Sequence, residues 1–219
     1  MRRRAVLAGL PTALLVGGCT RLLTREEAKF EAERAVVTES ARSETDYEEV
    51  NRAENRREQN YEGVDRTVVV INKLTEYARS VDLPLGVGGE LARFTVLASP
   101  EVTIVPGDPA NPIGDMDNED LAEMVQEQYG TIENVEKRDE READLLGETV
   151  TVSRFRADAE TQDETTEVTL HIAQGKSERS DGGGDFVVTV AVHPSDVDER
   201  DNVDRLLAGV DHPAGLADE

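Results

Sequence analysis

Residues 166–193 read TEVTLHIAQGKSERSDGGGDFVVTVAVH, and their pattern decides the fold class. Val168, Leu170 and Ile172 recur at every second position, and Phe186, Val188, Val190 and Val192 repeat the pattern further on. Successive side chains of a strand point to opposite faces, so a period of two gives each segment one apolar face. Between them lies Ser180–Asp185, SDGGGD, whose glycines and aspartates suit a chain reversal. The stretch predicts two antiparallel strands, Thr166–Ala173 and Phe186–His193, joined as a hairpin.

Toward the N-terminus, Thr131–Arg138 and Thr149–Ala157 carry further strand signals. In the second of these Val150 and Val152 fall on one face and Phe155 on the other, which predicts a bulge. Asp117 can cap a helix running to Tyr129, with Leu121, Met124, Val125 and Gln128 at i, i+3, i+4 and i+7. Pro106–Met116 holds three prolines and reads as irregular; Arg93–Ala98 and Glu101–Val105 read as strands broken at Ser99-Pro100. Asp82–Glu90, DLPLGVGGE, reads as a loop. Thr67–Ile71, TVVVI, is a strand by its β-branched content, while residues 74–81 fit a helix or a strand equally. Asn51–Asp65 predicts an exposed strand ending in a turn at Glu62-Gly63, Thr38–Val50 a short acidic helix capped by Thr38, and Lys29–Ala35 a first strand. After the hairpin, Asp201-Asn202 opens a last helix with Val203, Leu206, Leu207 and Val210 on one face. The expectation is one α+β domain over residues 29–211, an antiparallel β-sheet covered on one face by two amphipathic helices, followed by a tail at 212–219.

Charge bounds the function classes. The 219 residues carry 47 Asp+Glu against 24 Lys+Arg, a formal net charge of -23. A surface this negative repels phosphate backbones, so nucleic acid is excluded as a partner. Leu, Ile, Val and Phe number 53, about 24% of the chain and above the ~20% that marks disorder, so the chain folds around a lean core. Only four of the basic residues are Lys (Lys29, Lys73, Lys137, Lys176), and acidic residues alternate with Arg throughout instead of gathering in a tail. At molar salt the Debye length is ~3 Å and the self-repulsion of such a surface largely vanishes, which points to a halophilic setting.

Residues 1–19, MRRRAVLAGLPTALLVGGC, have the order of an export signal: Arg2, Arg3 and Arg4, a mild apolar run from Ala5 to Val16, then small residues before a cysteine. The twelve residues of that run rise ~18 Å as a helix, short of the ~30 Å hydrocarbon core. Arg3 and Arg4, followed by Ala5-Val6-Leu7, resemble a twin-arginine export signal. The Ser usual before the arginines is missing, so the general secretory route stays open. Val16, Gly17, Gly18 and Cys19 resemble a lipobox, with residues 1–18 removed, Cys19 lipidated and residues 19–28 a short tether. Cys19 is the sole cysteine, so no disulfide can form within the chain. The mature charge would be -26. The partner expected from this is the membrane, through a lipid on Cys19 at its outer face; oligomeric state is not legible.

With that lipobox, FTVLASPEV (94–102), NPIGDMDNEDLAEMVQEQY (111–129), LGETVTVSRFRADA (146–159) and DFVVTVAVHP (185–194) resemble a family of haloarchaeal exported lipoproteins of unknown function. More distantly, the order of elements is similar to PsbP-like domains. The first resemblance implies export and anchoring; neither implies an activity.

Candidate chemistry is sparse. His171 falls on the face opposite Val168, Leu170 and Ile172, His193 ends a strand before Pro194, and His212 lies in the tail. No two have the spacing of a zinc pair, and all three read as satisfied surface histidines. Asp115–Asp120 places oxygens like the start of a calcium loop, but Asp120 stands where Gly is needed and Gln126 where Glu is needed. An acidic helix N-terminus accounts for the same residues. Gly86-Val87-Gly88-Gly89 leads into a strand, so it offers a phosphate no helix N-terminus. No Gly-x-Ser-x-Gly elbow occurs. With no Trp and eight aromatic residues, sugar or base stacking is poorly served. The expectation is therefore a non-enzymatic binding or accessory domain with no cofactor, no metal and no catalytic residue, its candidate partner an envelope protein. A metal- or carboxylate-dependent hydrolase at the cell surface is the alternative, favoured by carboxylates gathered around His171 or His193. A small solute-binding lipoprotein of an importer is the third, favoured by a deep apolar cleft.

Overall fold

The structure, a computed structural model, describes residues 27–60, 67–82, 88–105, 108–109, 111–128, 131–160 and 165–214. Arg3, Arg4, Val16, Gly17, Gly18 and Cys19 lie outside these residues, as do the turn at Glu62-Gly63 and most of the C-terminal tail.

In chain order the elements are β1 (Glu27–Glu31), β2 (Val36–Val37), α1 (Glu39–Thr45), β3 (Glu48–Asn60), β4 (Thr67–Asp82), β5 (Gly88–Pro100), β6 (Thr103–Val105) and β7 (Asp108–Pro109). A 3-10 turn (Pro112–Asp115), α2 (Asn118–Gln128), β8 (Ile132–Leu145), β9 (Glu148–Glu160), β10 (Thr165–Glu178), β11 (Gly184–Pro194), α3 (Arg200–Ala208) and β12 (Val210–Asp211) complete them.

One eight-stranded sheet dominates. β4 is its pivot: β3 pairs with it antiparallel from Glu48 to Asn60. On its other side it pairs with β1 over Thr67–Ile71, parallel, and with β5 over Lys73–Asp82, antiparallel. Beyond β5 follow β11, β10, β9 and β8; among the described residues β1, β3 and β8 each pair with one strand, and β3 and β8 are the long edges. The β10–β11 hairpin forms as its pattern requires, from Glu178 opposite Gly184 to Val168 opposite Pro194. The β8–β9 hairpin turns through Leu146 and Gly147 alone, at φ +55° and +77°. Positive φ at both central residues is what a two-residue I′ turn needs.

Two expectations about architecture are corrected. The chain is mostly β, not α+β, and its sheet is mixed, because β1 runs parallel to β4. The two amphipathic helices also lie on opposite faces. α3, with α1, puts Val203, Leu206, Leu207 and Ala41 over Tyr77, Phe94, Val96, Val152, Val187 and Ala191. α2, with the 3-10 turn, puts Leu121, Ala122, Val125 and Ile113 over Phe155, Val168, Leu170, Ile172 and Val188. The face under α3 escapes the alternation rule because, Val187 apart, its buried positions on β10 and β11 are small or polar, among them His171, Ala173, Thr189, Ala191 and His193. Such a face reads as solvated in a sequence and is not.

The same two-sidedness explains β9. Val152 belongs to one core and Phe155 to the other, and β9 pairs with β10 without a register break. The expected bulge is absent there. The register shifts sit on β8, between Glu133 and Glu136 and between Lys137 and Asp139, with Asn134 at φ +55°.

Several boundaries move as well. Residues 74–81 are strand, and β5 runs from Gly88 through Ser99 to Pro100, taking in Gly88–Glu90 that read as loop. The Thr38–Val50 helix spans only Glu39–Thr45. The Thr38 side chain makes no cap bond, and Asp46 closes the helix at φ +58°. Asp117 does cap α2, its Oδ1 accepting from the backbone N–H groups of Glu119 (2.8 Å) and Asp120 (2.9 Å).

Candidate functional site

The hairpin register sets His193 opposite Thr169 and His171 opposite Ala191. The two histidines are thus diagonal neighbours on one face, the face α3 covers. Their rings stack with centroids 5.3 Å apart and planes 18° from parallel. Each is 4% exposed, which overturns the reading of surface histidines; His212 is buried too, its Nε2 on the wholly buried Asp185 carboxylate at 3.0 Å.

Hydrogen-bond chemistry assigns every proton in the pair. Arg141 Nη1 lies 2.9 Å from His171 Nδ1. A guanidinium only donates, so Nδ1 accepts and the His171 proton sits on Nε2. That proton points at His193 Nε2, 3.2 Å away, which must accept. The remaining His193 proton, on Nδ1, is donated to the Pro194 carbonyl at 2.9 Å. Both imidazoles are therefore neutral. Burial, then the positive charge of Arg141, push His171 down to about 3. Burial likewise lowers His193, with the Pro194 carbonyl and the Glu199 and Asp198 carboxylates opposing it.

Arg141 ties this pair to two other elements. It reaches from β8 across β9 to β10, and its Nε and Nη2 donate to Asp204 Oδ1 of α3 at 2.9 and 2.5 Å. The N-terminal end of α3 is held by a second buried carboxylate. Glu199, fully buried, accepts from Arg79 Nη2 (2.6 Å), Tyr47 Oη (3.2 Å) and Asn202 Nδ2 (3.1 Å). Its burial and that hydrogen bond push the Tyr47 phenol well above its ordinary value.

A cavity of about 320 Å³ opens beside the pair. Asp139, Asp196 and Asp198 line it with Arg154 and Arg200, and Thr169 Oγ1 and Ser195 Oγ sit 3.1 Å apart at its wall. Carboxylates do gather around His171 and His193, yet every ring nitrogen of the pair is already engaged. Neither ring offers a lone pair to a metal or to a substrate proton unless the chain of bonds from Arg141 to Pro194 is broken. Among the described residues no group of three or more His, Cys, Asp or Glu is arranged to hold a metal ion.

A second cavity, of about 330 Å³, lies at the start of α2 and is lined by polar side chains, among them Asp117, Asn118, Lys137, Glu140 and Ser153. Lys137 bridges Glu119 (2.6 Å) and Glu140 (2.8 Å). The Asp115–Asp120 run is thus a helix cap. The backbone N–H groups of Asp120 and Glu119 hold the Asp117 carboxyl below the usual carboxylate range. Neither cavity is a deep apolar cleft.

Sequence reasoning missed the histidine pair by taking each residue singly. His171 and His193 are equidistant from Gly182, so a hairpin centred on the SDGGGD loop brings them together.

The model of a domain of unknown function, DUF6517, matches residues 34–211. No curated protein and no solved structure matches the chain.

Proposed function

The chain belongs to the DUF6517 family, and from its own residues we propose that it is a lipid-anchored, extracytoplasmic domain of a halophile that binds or supports another envelope component without catalysing a reaction. The observation that carries the non-enzymatic part is the closed bond chain of Arg141, His171, His193 and Pro194. It makes the residues best suited to catalysis into a brace between β10, β11 and α3 instead. The order of basic, apolar and small residues before Cys19 supports the anchor, and the charge of -23 with only four Lys supports the halophilic setting. The haloarchaeal lipoprotein resemblance supports both.

Two measurements test this. Cys19→Ser should move the protein from the membrane fraction to the soluble one; unchanged retention overturns the lipid anchor. Thermal unfolding of the chain in molar salt, with divalent metals or small solutes added, should not shift. A rise with a divalent metal would favour the surface hydrolase, built on Asp139, Asp196 and Asp198 beside the histidines. A rise with a small solute would favour the importer lipoprotein.

A further inference from the structure

The two long edges of the sheet, β3 and β8, are built differently. β8 is broken by two register shifts, and bulges of this kind stop an edge from pairing with another chain. β3 keeps its register with β4 from Asn51 to Asn60, and β4 is its sole strand partner among the described residues. Its outer row of backbone N–H and C=O groups is thus a long, straight template. Val50, at the start of this strand, is 43% exposed and is the exposed large hydrophobic among the described residues.

The side chains of β3 carry a second regularity. Arg52, Glu54, Arg56 and Glu58 alternate in sign along one face, opposite Thr75, Lys73, Ile71 and Val69 of β4. Laid antiparallel against a copy of itself with Asn55 on the two-fold axis, the strand sets Arg52 opposite Glu58 and Glu54 opposite Arg56, and both pairs recur by symmetry. Every charge on that face then meets its opposite, and directly opposed unlike charges stabilise a strand pair where like charges oppose it. Within one chain the charges of this face already pair locally, Arg52 with Glu49 (2.6 Å), Arg56 with Glu58 (2.8 Å) and Glu54 with Lys73. The pairs of Arg52 and Arg56 reach solvent and can exchange for the cross-strand pairs at little cost, because exposed pairs contribute little.

We propose that β3 is a pairing edge for a second copy of this chain, the two β3 strands running antiparallel about an axis at Asn55 and joining two eight-stranded sheets into one. The surface is isologous, as a two-fold dimer requires. The net charge of each copy opposes the approach at low ionic strength, and molar salt removes that long-range barrier while leaving backbone hydrogen bonds intact. The dimer therefore forms in high salt.

Sedimentation velocity of the full chain in molar salt is the test. The wild type should sediment as a dimer. Arg52→Glu with Arg56→Glu makes the face all acidic, and Glu54→Arg with Glu58→Arg makes it all basic. Each variant alone should raise the dimer dissociation constant about tenfold or more, and mixing the two should restore dimers. A monomeric wild type, a dimer indifferent to both reversals, or a mixture that stays monomeric overturns the proposal. A second pair of variants does not depend on charge. Asn55→Cys in a Cys19→Ser chain should oxidise to a covalent dimer, because its partner Cα lies ~4.5–5.5 Å away. Ala53→Cys should not, since its symmetry mate sits four residues along the strand; equal linkage of both overturns the register.

Discussion

His171 donates through Nε2 to Nε2 of His193, so the two rings hold one proton between facing nitrogens; protonating His193 breaks that bond, and protonating His171 at Nδ1 breaks the one from Arg141. Both rings are titrated less readily in the fold than in the unfolded chain. His171 is lowered to about 3 and His193 is lowered as well. The unfolded chain then binds more protons as pH falls below ~6.5, so stability declines through that range. Each proton taken up in excess costs about 1.4 kcal/mol per pH unit, and the loss from His171 levels off below about pH 3. Denaturant midpoints in molar salt should fall steadily from pH 7 to pH 4. His171→Gln, which has no titrating ring, should flatten that slope. An unchanged slope would rule out the pair as the acid-sensitive element.

Arg141 is the member of the chain with most to lose. Its side chain is 8% exposed, while Asp204 keeps 36% exposure and can turn to water. Arg141→Leu should cost about 2 kcal/mol, mainly from the His171 Nδ1 left without a donor. It should also raise the His171 titration midpoint, because a nearby positive charge is removed. An NMR titration of the imidazole protons reads this directly. A midpoint that stays at about 3 would place the shift on burial and the other nearby charges, Arg154 and Arg200, instead of Arg141.

α1 and α3 approach so closely at Gly209 that a Cβ there would lie 2.3 Å from Ala41 Cβ. Gly209→Ala should destabilise by about 1–3 kcal/mol, since overpacking forces backbone movement. Ala41→Gly in the same chain should recover most of the loss by removing the opposing methyl. No recovery in the double variant would mean that contacts elsewhere around Gly209 set the cost.

Lowering the salt should unfold the domain. The net charge of -23 is spread over a sheet whose cores are thin and shared between two faces. Repulsion between exposed carboxylates rises as screening falls. Circular dichroism should show strand content in molar salt and its loss on dilution to millimolar salt. Spectra that overlay would remove the halophilic reading.

Much of the strand structure is legible in local patterns. Val168, Leu170 and Ile172 alternate, the SDGGGD loop reverses the chain, and Asp117 stands where a helix cap is needed. Leu74 to Val81 is ambiguous in the sequence because a helix and a strand both accommodate those residues; pairing with β3 on one side and β5 on the other decides it. The layer arrangement is hidden in the sequence for a related reason. Ala173, Ala191 and Thr189 are small enough to be buried under α3 without looking apolar.

The histidine pair marks the division most clearly. Hydrophobic period, turn chemistry and charge act over a few residues, so the sequence by itself determined the strands, the capped helix, the acidic surface and the order of residues before Cys19. Which face each helix covers and which polar groups meet across strands depend on register and on chain returning from far away. Arg141 and Asp204 are 63 residues apart, and His171 and His193 are 22 apart. Only the tertiary structure closes those distances, and with them it turned these four separate residues into a proton-specified brace.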